Sequence, residues 1–224
     1  MAIISFNNVS KWYKAGNIQV QALCEVNLEI NEGDFVCVAG PSGSGKSTLL
    51  HIAGILDTPS EGEVIMNGSQ TSFFTRTSAA LFRRQHIGFI FQRFNLIPVL
   101  TAFENVEFIL SLLKVSNQQR KKKVEETLAA VGLEKFMHHR AGNLSGGQQQ
   151  RVAVARALVT NPQIILADEP TASLDTETGA ALIDLFADIN QQQNTTCLFS
   201  SHDSRIIKRA TRIIHLIDGR ISQK

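Results

Sequence analysis

Short apolar runs alternate with helical patterns along the chain, which predicts α/β layering. Residues 3–9, 26–30, 35–39, 64–66, 87–91, 164–167, 196–200 and 212–217 read as strands. The early ones alternate in polarity, as half-buried antiparallel strands do. Residues 35–39 and 164–167 are continuously apolar, as central parallel strands are. From about Pro98 to Gly142 the pattern turns helical and shows no clear strand. Thr101 with Glu104, and Ser116 with Gln119, fit the capping box, so two helix starts are marked there. The expected organisation is one domain over 1–224. Residues 1–97 and 143–224 form an α/β body, and 98–142 form an inserted helical subdomain.

At 224 residues the chain is long enough for one well-filled core. Apolar residues make up 43% and charged residues 19%, a globular composition. A formal net charge of +2 leaves no electrostatic footprint for nucleic acid. The run Arg120-Lys121-Lys122-Lys123 reads as the solvated face of a helix whose apolar face is Val124, Leu128 and Val131. Cys24, Cys37 and Cys197 are far apart and form no CxxC pair, which excludes a disulfide framework and fits a reducing compartment. Cys37 and Cys197 sit in apolar runs and read as small core residues. No secretory signal opens the chain, and no stretch approaches the roughly 20 apolar residues that span a bilayer. Direct membrane insertion is therefore not expected.

The segment Gly40-Pro41-Ser42-Gly43-Ser44-Gly45-Lys46-Ser47-Thr48 fits GxxxxGK[ST], between the apolar run 35–39 and the helical run 49–53. Glycines 40, 43 and 45 let the backbone curl toward an anion, and the loop N–H groups and helix N-terminus then face phosphates. Lys46 supplies a point charge to the terminal phosphates, and the Ser47 hydroxyl suits Mg²⁺. Further on, the strand 164–167 runs into Asp168-Glu169-Pro170. Adjacent residues at a strand end point in different directions. Asp168 is thereby assigned to magnesium, and Glu169 to orienting or activating a water.

A third element narrows the class: Leu144-Ser145-Gly146-Gly147-Gln148, followed by Gln149-Gln150-Arg151 and a helical repeat of Val152, Ala155 and Val159. Ser145 and Gln148 also fit a capping box, but a bare cap does not need two helix-weakening glycines. A helix N-terminus of this kind is a good anion site.

With these motifs in this order, the chain resembles the nucleotide-binding subunit of ABC transporters over nearly its whole length. That resemblance implies the ABC ATPase fold: a P-loop NTPase core of α/β type, an antiparallel β subdomain and an inserted α-helical subdomain. It also implies roles that single residues would not suggest. Gln92, after Gly88-Phe89-Ile90-Phe91, is similar to the family's Q-loop glutamine, which joins the Mg²⁺ shell. Ser173-Leu174-Asp175 resembles its D-loop, His202 its switch histidine at the γ-phosphate, and Tyr13 the aromatic that stacks on adenine, with Trp12 as the neighbouring alternative.

The resemblance further implies ATP-driven pairing, either as a homodimer or with another ATPase subunit. ATP would lie between the phosphate loop of one copy and the Ser145–Gln148 helix start of the other. It implies integral membrane permease subunits as partners, and a place on the cytoplasmic face of the plasma (inner) membrane.

Phe82-Arg83-Arg84, the run 87–92, Leu96-Ile97-Pro98-Val99-Leu100-Thr101 and Glu104-Asn105-Val106 are similar to the branch serving lipoprotein release and macrolide export. Ala172-Ser173 stands where that branch often has Gly-Asn, and Ser201 where Thr is commoner. No C-terminal regulatory domain is expected. The competing functions are a soluble ABC ATPase acting on ribosomes or DNA, and a P-loop kinase. The first usually carries paired ATPase domains or a long coiled coil, and this chain has neither. The second leaves Leu144 to Gln148 unexplained.

Overall fold

The computed structural model describes residues 1–16 and 18–222. Two sheets organise it. The first is four-stranded and antiparallel in the order β2-β1-β4-β5, built from β1 (Ala2–Ala15), β2 (Ile18–Asn31), β4 (Glu61–Met66) and β5 (Ser69–Gln70). The second is six-stranded in the order β10-β9-β3-β8-β7-β6. Its strands are β3 (Phe35–Ala39), β6 (Ile87–Ile90), β7 (Ile164–Asp168), β8 (Thr196–Ser200), β9 (Arg212–Ile217) and β10 (Arg220–Ser222). All neighbours in this sheet pair in parallel except β10, which closes one edge antiparallel to β9.

The continuously apolar strands are central for a physical reason. Successive side chains of a strand point to opposite faces, so a strand buried on both faces must be apolar throughout. In β3, Phe35 and Cys37 enter one hydrophobic core, while Val36 and Val38 enter the other. β7 and β8 divide likewise, with Ala167 and Phe199 on the first side and Leu166 and Leu198 on the second.

The second core joins the two sheets around α1 (Lys46–Ala53), through Phe6, Leu49, Leu50 and Ile52. The first core lies under α3 (Ala102–Leu112), α4 (Asn117–Ala130), α5 (Gly146–Leu158) and α6 (Thr176–Gln193). Phe199 is fully buried there, with ring centroids 4.7 Å from Phe35 and 5.2 Å from Phe186. Such aromatic pairs add about 0.5–1.5 kcal/mol beyond area burial.

α3 and α4 fall within the stretch read as helical, and their buried residues Val106, Leu110, Val124 and Leu128 share this core with the main sheet. Val124, Leu128 and Val131 are buried as the helix pattern requires. On the outer face Lys121 and Lys122 reach Glu125 and Glu126 at i,i+4 spacing.

Several sequence expectations need correction. β1 and β2 each run 14 residues, well beyond 3–9 and 26–30. Their outer halves are solvent-facing and pair with each other, and register shifts between Phe6 and Trp12 break the alternation that would have marked them. The strand expected at 87–91 stops at Ile90. β5, β10, α2 (Arg76–His86) and α7 (Ser204–Arg209) were not anticipated.

The capping box at Thr101 forms, with the Glu104 amide donating to Thr101 Oγ1 and the Thr101 amide to Glu104 Oε2. The one at Ser116 does not. Its hydroxyl donates to Gln119 Oε1 at 3.1 Å, so the two side chains satisfy each other and leave the helix start without a side-chain cap.

Candidate functional site

β3 delivers the chain into the glycine-rich loop, and α1 begins immediately after it at Lys46. The glycines have separate reasons. Gly43 and Gly45 adopt φ of 81° and 102°, where side chains are strained. A Cβ on Gly45 would also sit 2.3 Å from Ala22 O, and one on Gly40 2.0 Å from Leu216 O. The loop is thus wedged between β2 and the end of β9. The turn after β9 adds a clamp, the Gly219 amide donating to Ser44 O at 3.0 Å. Lys46 is largely buried, and its ammonium donates to Gly40 O and Pro41 O, each at 2.9 Å, which pins it over the loop. Ser44 Oγ is buried without a hydrogen-bond partner. A buried orphan hydroxyl is costly, and Ser44 is the one residue from Gly40 to Thr48 that does not line the adjoining cavity.

The acidic pair separates as the strand end predicted. Asp168 Oδ1 accepts from Ser200 Oγ at 2.8 Å on the neighbouring strand. Glu169 has φ 47°, a left-handed conformation that costs a non-glycine residue of order 1–3 kcal/mol. Its carboxylate takes partners different from those of Asp168. Oε1 lies 2.9 Å from His202 Nδ1, and Oε2 accepts from Ser201 Oγ at 3.3 Å. The Glu169 side chain is largely shielded, while His202 is 75% exposed.

One cavity of about 600 Å³ gathers Tyr13, the loop residues Gly40 to Gly43 and Gly45 to Thr48, Gln92, Glu169 and His202. Tyr13 lines it, whereas Trp12 does not. Gln92 enters just past the end of β6. Asp168, the last residue of β7 and one before Glu169, does not itself line the cavity. Val20, Gln21 and Ala22 of β2 also line the cavity, and no sequence signal marked them because their role comes from the hairpin's length.

The structure does not bring Ser145, Gly146, Gly147 or Gln148 into that cavity. They open α5 through a formed capping box: Gln148 N donates to Ser145 Oγ at 3.3 Å, and Ser145 N to Gln148 Oε1 at 2.9 Å. Gly146 instead faces a separate cleft of about 500 Å³ with Phe94, Gln149 and Ser173, and Gln92 lines both spaces. Gly147 has a packing reason as well, since a Cβ there would lie 2.7 Å from Thr178 Cγ2 on α6.

Two further groups escaped sequence reading. Asp203 caps α7, accepts from Thr171 Oγ1 at 2.8 Å and is gripped by Arg205, whose Nη2 lies 2.7 Å away. Hydrogen bonds from Arg205 hold the Asp203 carboxyl at about 2, so it stays ionised and ties the loop after β7 to the loop carrying His202. Arg156 of α5 donates to the carbonyls of Phe94 and Asn95, fastening the segment after Gln92 to the helix that Ser145 caps. Cys37 and Cys197 are buried as expected, and burial pushes both thiols up to about 12.

A glycine-rich phosphate cradle with carboxylate and histidine facing it defines a P-loop nucleotide-binding protein. The ABC transporter family model matches residues 23–172, and the chain belongs to that family as one of its ATP-binding, ATP-hydrolysing cassettes. It is similar to the ABC transporter ATP-binding protein MJ0796 of Methanocaldococcus jannaschii, 46% identical over 226 residues that cover 99% of this chain and 96% of that protein. An ABC transporter ATP-binding protein of Thermotoga maritima is 45% identical, with 98% and 93% covered.

Among solved structures, the dimeric post-hydrolysis state of the MJ0796 cassette bound to ADP and Pi superposes with a TM-score of 0.92 at 46% identity, covering 98% of this chain and 97% of that one. The protein cbiO1 of Clostridium perfringens, part of the ABC transporter complex cbiONQ, superposes at 0.88 with 26% identity, covering 99% and 87%. The fold is the expected ABC ATPase cassette, and the family match favours the transporter reading over the ribosome or DNA alternative.

Proposed function

We propose that this cassette works as a pair, each ATP held by the cradle of one copy and the Ser145–Gln148 helix start of the other, with closure driving a membrane permease. The carrying observation is the division of the site. Cradle, Glu169 and His202 share one cavity, while Gly146 of the second helix start lines a different cleft. A single copy therefore presents two half-sites, and a head-to-tail partner completes both. The solved MJ0796 cassette is dimeric, which supports this reading.

In it Gly40 to Thr48 hold the phosphates, Lys46 meets the terminal ones, Tyr13 stacks on adenine, Glu169 receives a proton from the attacking water and His202 contacts the γ-phosphate. Among the described residues no three His, Cys, Asp or Glu side chains form a metal cage. Ser47, Gln92 and Asp168 offer oxygen donors instead, a set that fits Mg²⁺ shared with phosphates. Such an ion would offset phosphate charge.

ATP stabilises only the closed pair, so its hydrolysis releases it. The test is Ser145→Arg, whose bulky cation fills the partner-facing helix start. The variant should bind ATP as the parent does but remain monomeric by sedimentation in Mg-ATP. ATP-dependent pairing that survives the substitution would remove Ser145 from the interface.

No helix among the described residues is long and apolar enough to cross a membrane, so the proposed place on the cytoplasmic face depends on the permease. Its cytoplasmic segment is assigned to a groove of about 370 Å³ lined by Leu56, Phe89, Phe91, Phe108 and Leu112, with Arg83 and Arg84 at its side. Phe108 is 51% exposed there, a high value for a phenylalanine without a partner. The groove and the ATP cavity share no lining residue, but Phe91 of the groove is followed directly by Gln92, which lines the cavity. Residues 98–142 form the proposed helical subdomain that moves with this groove.

The motif resemblance supports a permease of the lipoprotein-release or macrolide-export type. Purification in mild detergent should then recover a membrane protein with a large extracytoplasmic domain. Recovery of ribosomes instead would overturn the transporter assignment.

A further inference from the structure

Tyr13 sits on an exposed hairpin, where an aromatic ring would ordinarily sample several orientations. Here it is anchored from a distant part of the chain. Its hydroxyl donates to Asp57 Oδ2 at 2.7 Å, across 44 residues of sequence. The other carboxylate oxygen, Oδ1, accepts from Lys11 Nζ at 2.6 Å and from the Thr58 amide at 2.7 Å. Lys11 also donates to Thr58 O at 2.8 Å, and its side chain is only 11% exposed. Lys11 and Tyr13 are two residues apart on β1. The ammonium lies 5.0 Å from the centre of the Tyr13 ring, within cation–π range.

The arrangement has two consequences. One face of the ring already carries a cation, which leaves the other for a planar partner. And the anchor belongs to the segment just beyond α1, whose Asp57 amide donates to His51 O. The ring is thus tied to the far end of the helix that starts at the phosphate loop.

We infer that Asp57 and Lys11 are positioning residues for ATP: they lock the Tyr13 ring, occupy one of its faces and thereby present the other to adenine at a fixed distance from the phosphate cradle. This rests on the reading of Tyr13 as the base platform. The benefit is preorganisation, because a ring already ordered loses no rotamer freedom when the nucleotide arrives. A plain surface ion pair between Lys11 and Asp57 would steady the hairpin but would not distinguish ligands with a base from those without.

Calorimetric titration with Mg-ATP and with Mg-tripolyphosphate, which has the phosphates and no base, makes that distinction. Tyr13→Ala should weaken ATP and spare tripolyphosphate. Tyr13→Phe keeps the ring but loses its anchor, and Asp57→Ala removes the anchor from the other side. Each should weaken ATP by about 3- to 10-fold, the usual worth of one hydrogen bond, with tripolyphosphate unchanged and the double variant no weaker than either single one.

If Tyr13→Ala binds ATP as the parent does, the base platform itself is wrong and the inference falls with it. If Tyr13→Ala weakens ATP while Tyr13→Phe and Asp57→Ala do not, the platform stands and the positioning role is overturned. Equal loss of both ligands in Asp57→Ala would also overturn it.

Discussion

Replacing Glu169 with Gln should leave ATP binding intact while slowing hydrolysis by about 10²- to 10⁴-fold, the range a positioned proton acceptor contributes. The substitution is close to isosteric. Its amide can keep one contact to His202 or Ser201, and the left-handed backbone at φ 47° asks no more of Gln than of Glu. What is lost is the ability to take a proton from water. Because Asp168 is held separately by Ser200, its place in the site should not change. ATP would then persist between two copies, and sedimentation in Mg-ATP should show a stable dimer that the parent forms only transiently. Single-turnover hydrolysis measured beside nucleotide affinity checks both halves. Parental turnover would take the proton-acceptor role away from Glu169.

The parts of this site that were legible in the sequence are those whose physics is local. A phosphate loop is written in consecutive residues, because glycine conformations and the helix start are all it needs. The capping boxes at Thr101 and Ser145 reach only three residues and form as the pattern predicts, while the one at Ser116 fails because its two side chains bond to each other. Long-range partnerships left no such trace. The outer halves of β1 and β2 are strands because they pair with each other, not because of their own alternation. Asp203 and Thr171, 32 residues apart, meet only once β7 and β8 lie side by side. Gly147 read as a ligand-binding glycine, and the structure adds that α6 leaves no room for a Cβ. The division of the site between two cavities is also a tertiary fact. Sequence order places Lys46 and Gly146 in one list, and only the fold shows that one chain keeps them in separate clefts.

Lys46→Ala should weaken ATP by roughly 10- to 150-fold, the equivalent of one hydrogen bond to a charged group at about 1.5–3 kcal/mol. Lys46 is 9% exposed and bonded to Gly40 O and Pro41 O, so its ammonium is held over the loop that is proposed to take the terminal phosphates. Alanine removes that charge without a backbone change, since position 46 is the first helical residue and alanine is a good helix former. Arginine is no substitute. Its planar fork is larger than the ammonium and cannot fit the same pair of loop carbonyls as a point charge does. The loss should therefore appear in Lys46→Arg as well, and it should be as large for tripolyphosphate as for ATP, because the interaction is with phosphate alone. Melting temperatures without nucleotide would show whether the loop still folds. A Lys46→Ala protein that melts like the parent and binds both ligands like the parent would mean that the loop's backbone amides hold the triphosphate unaided.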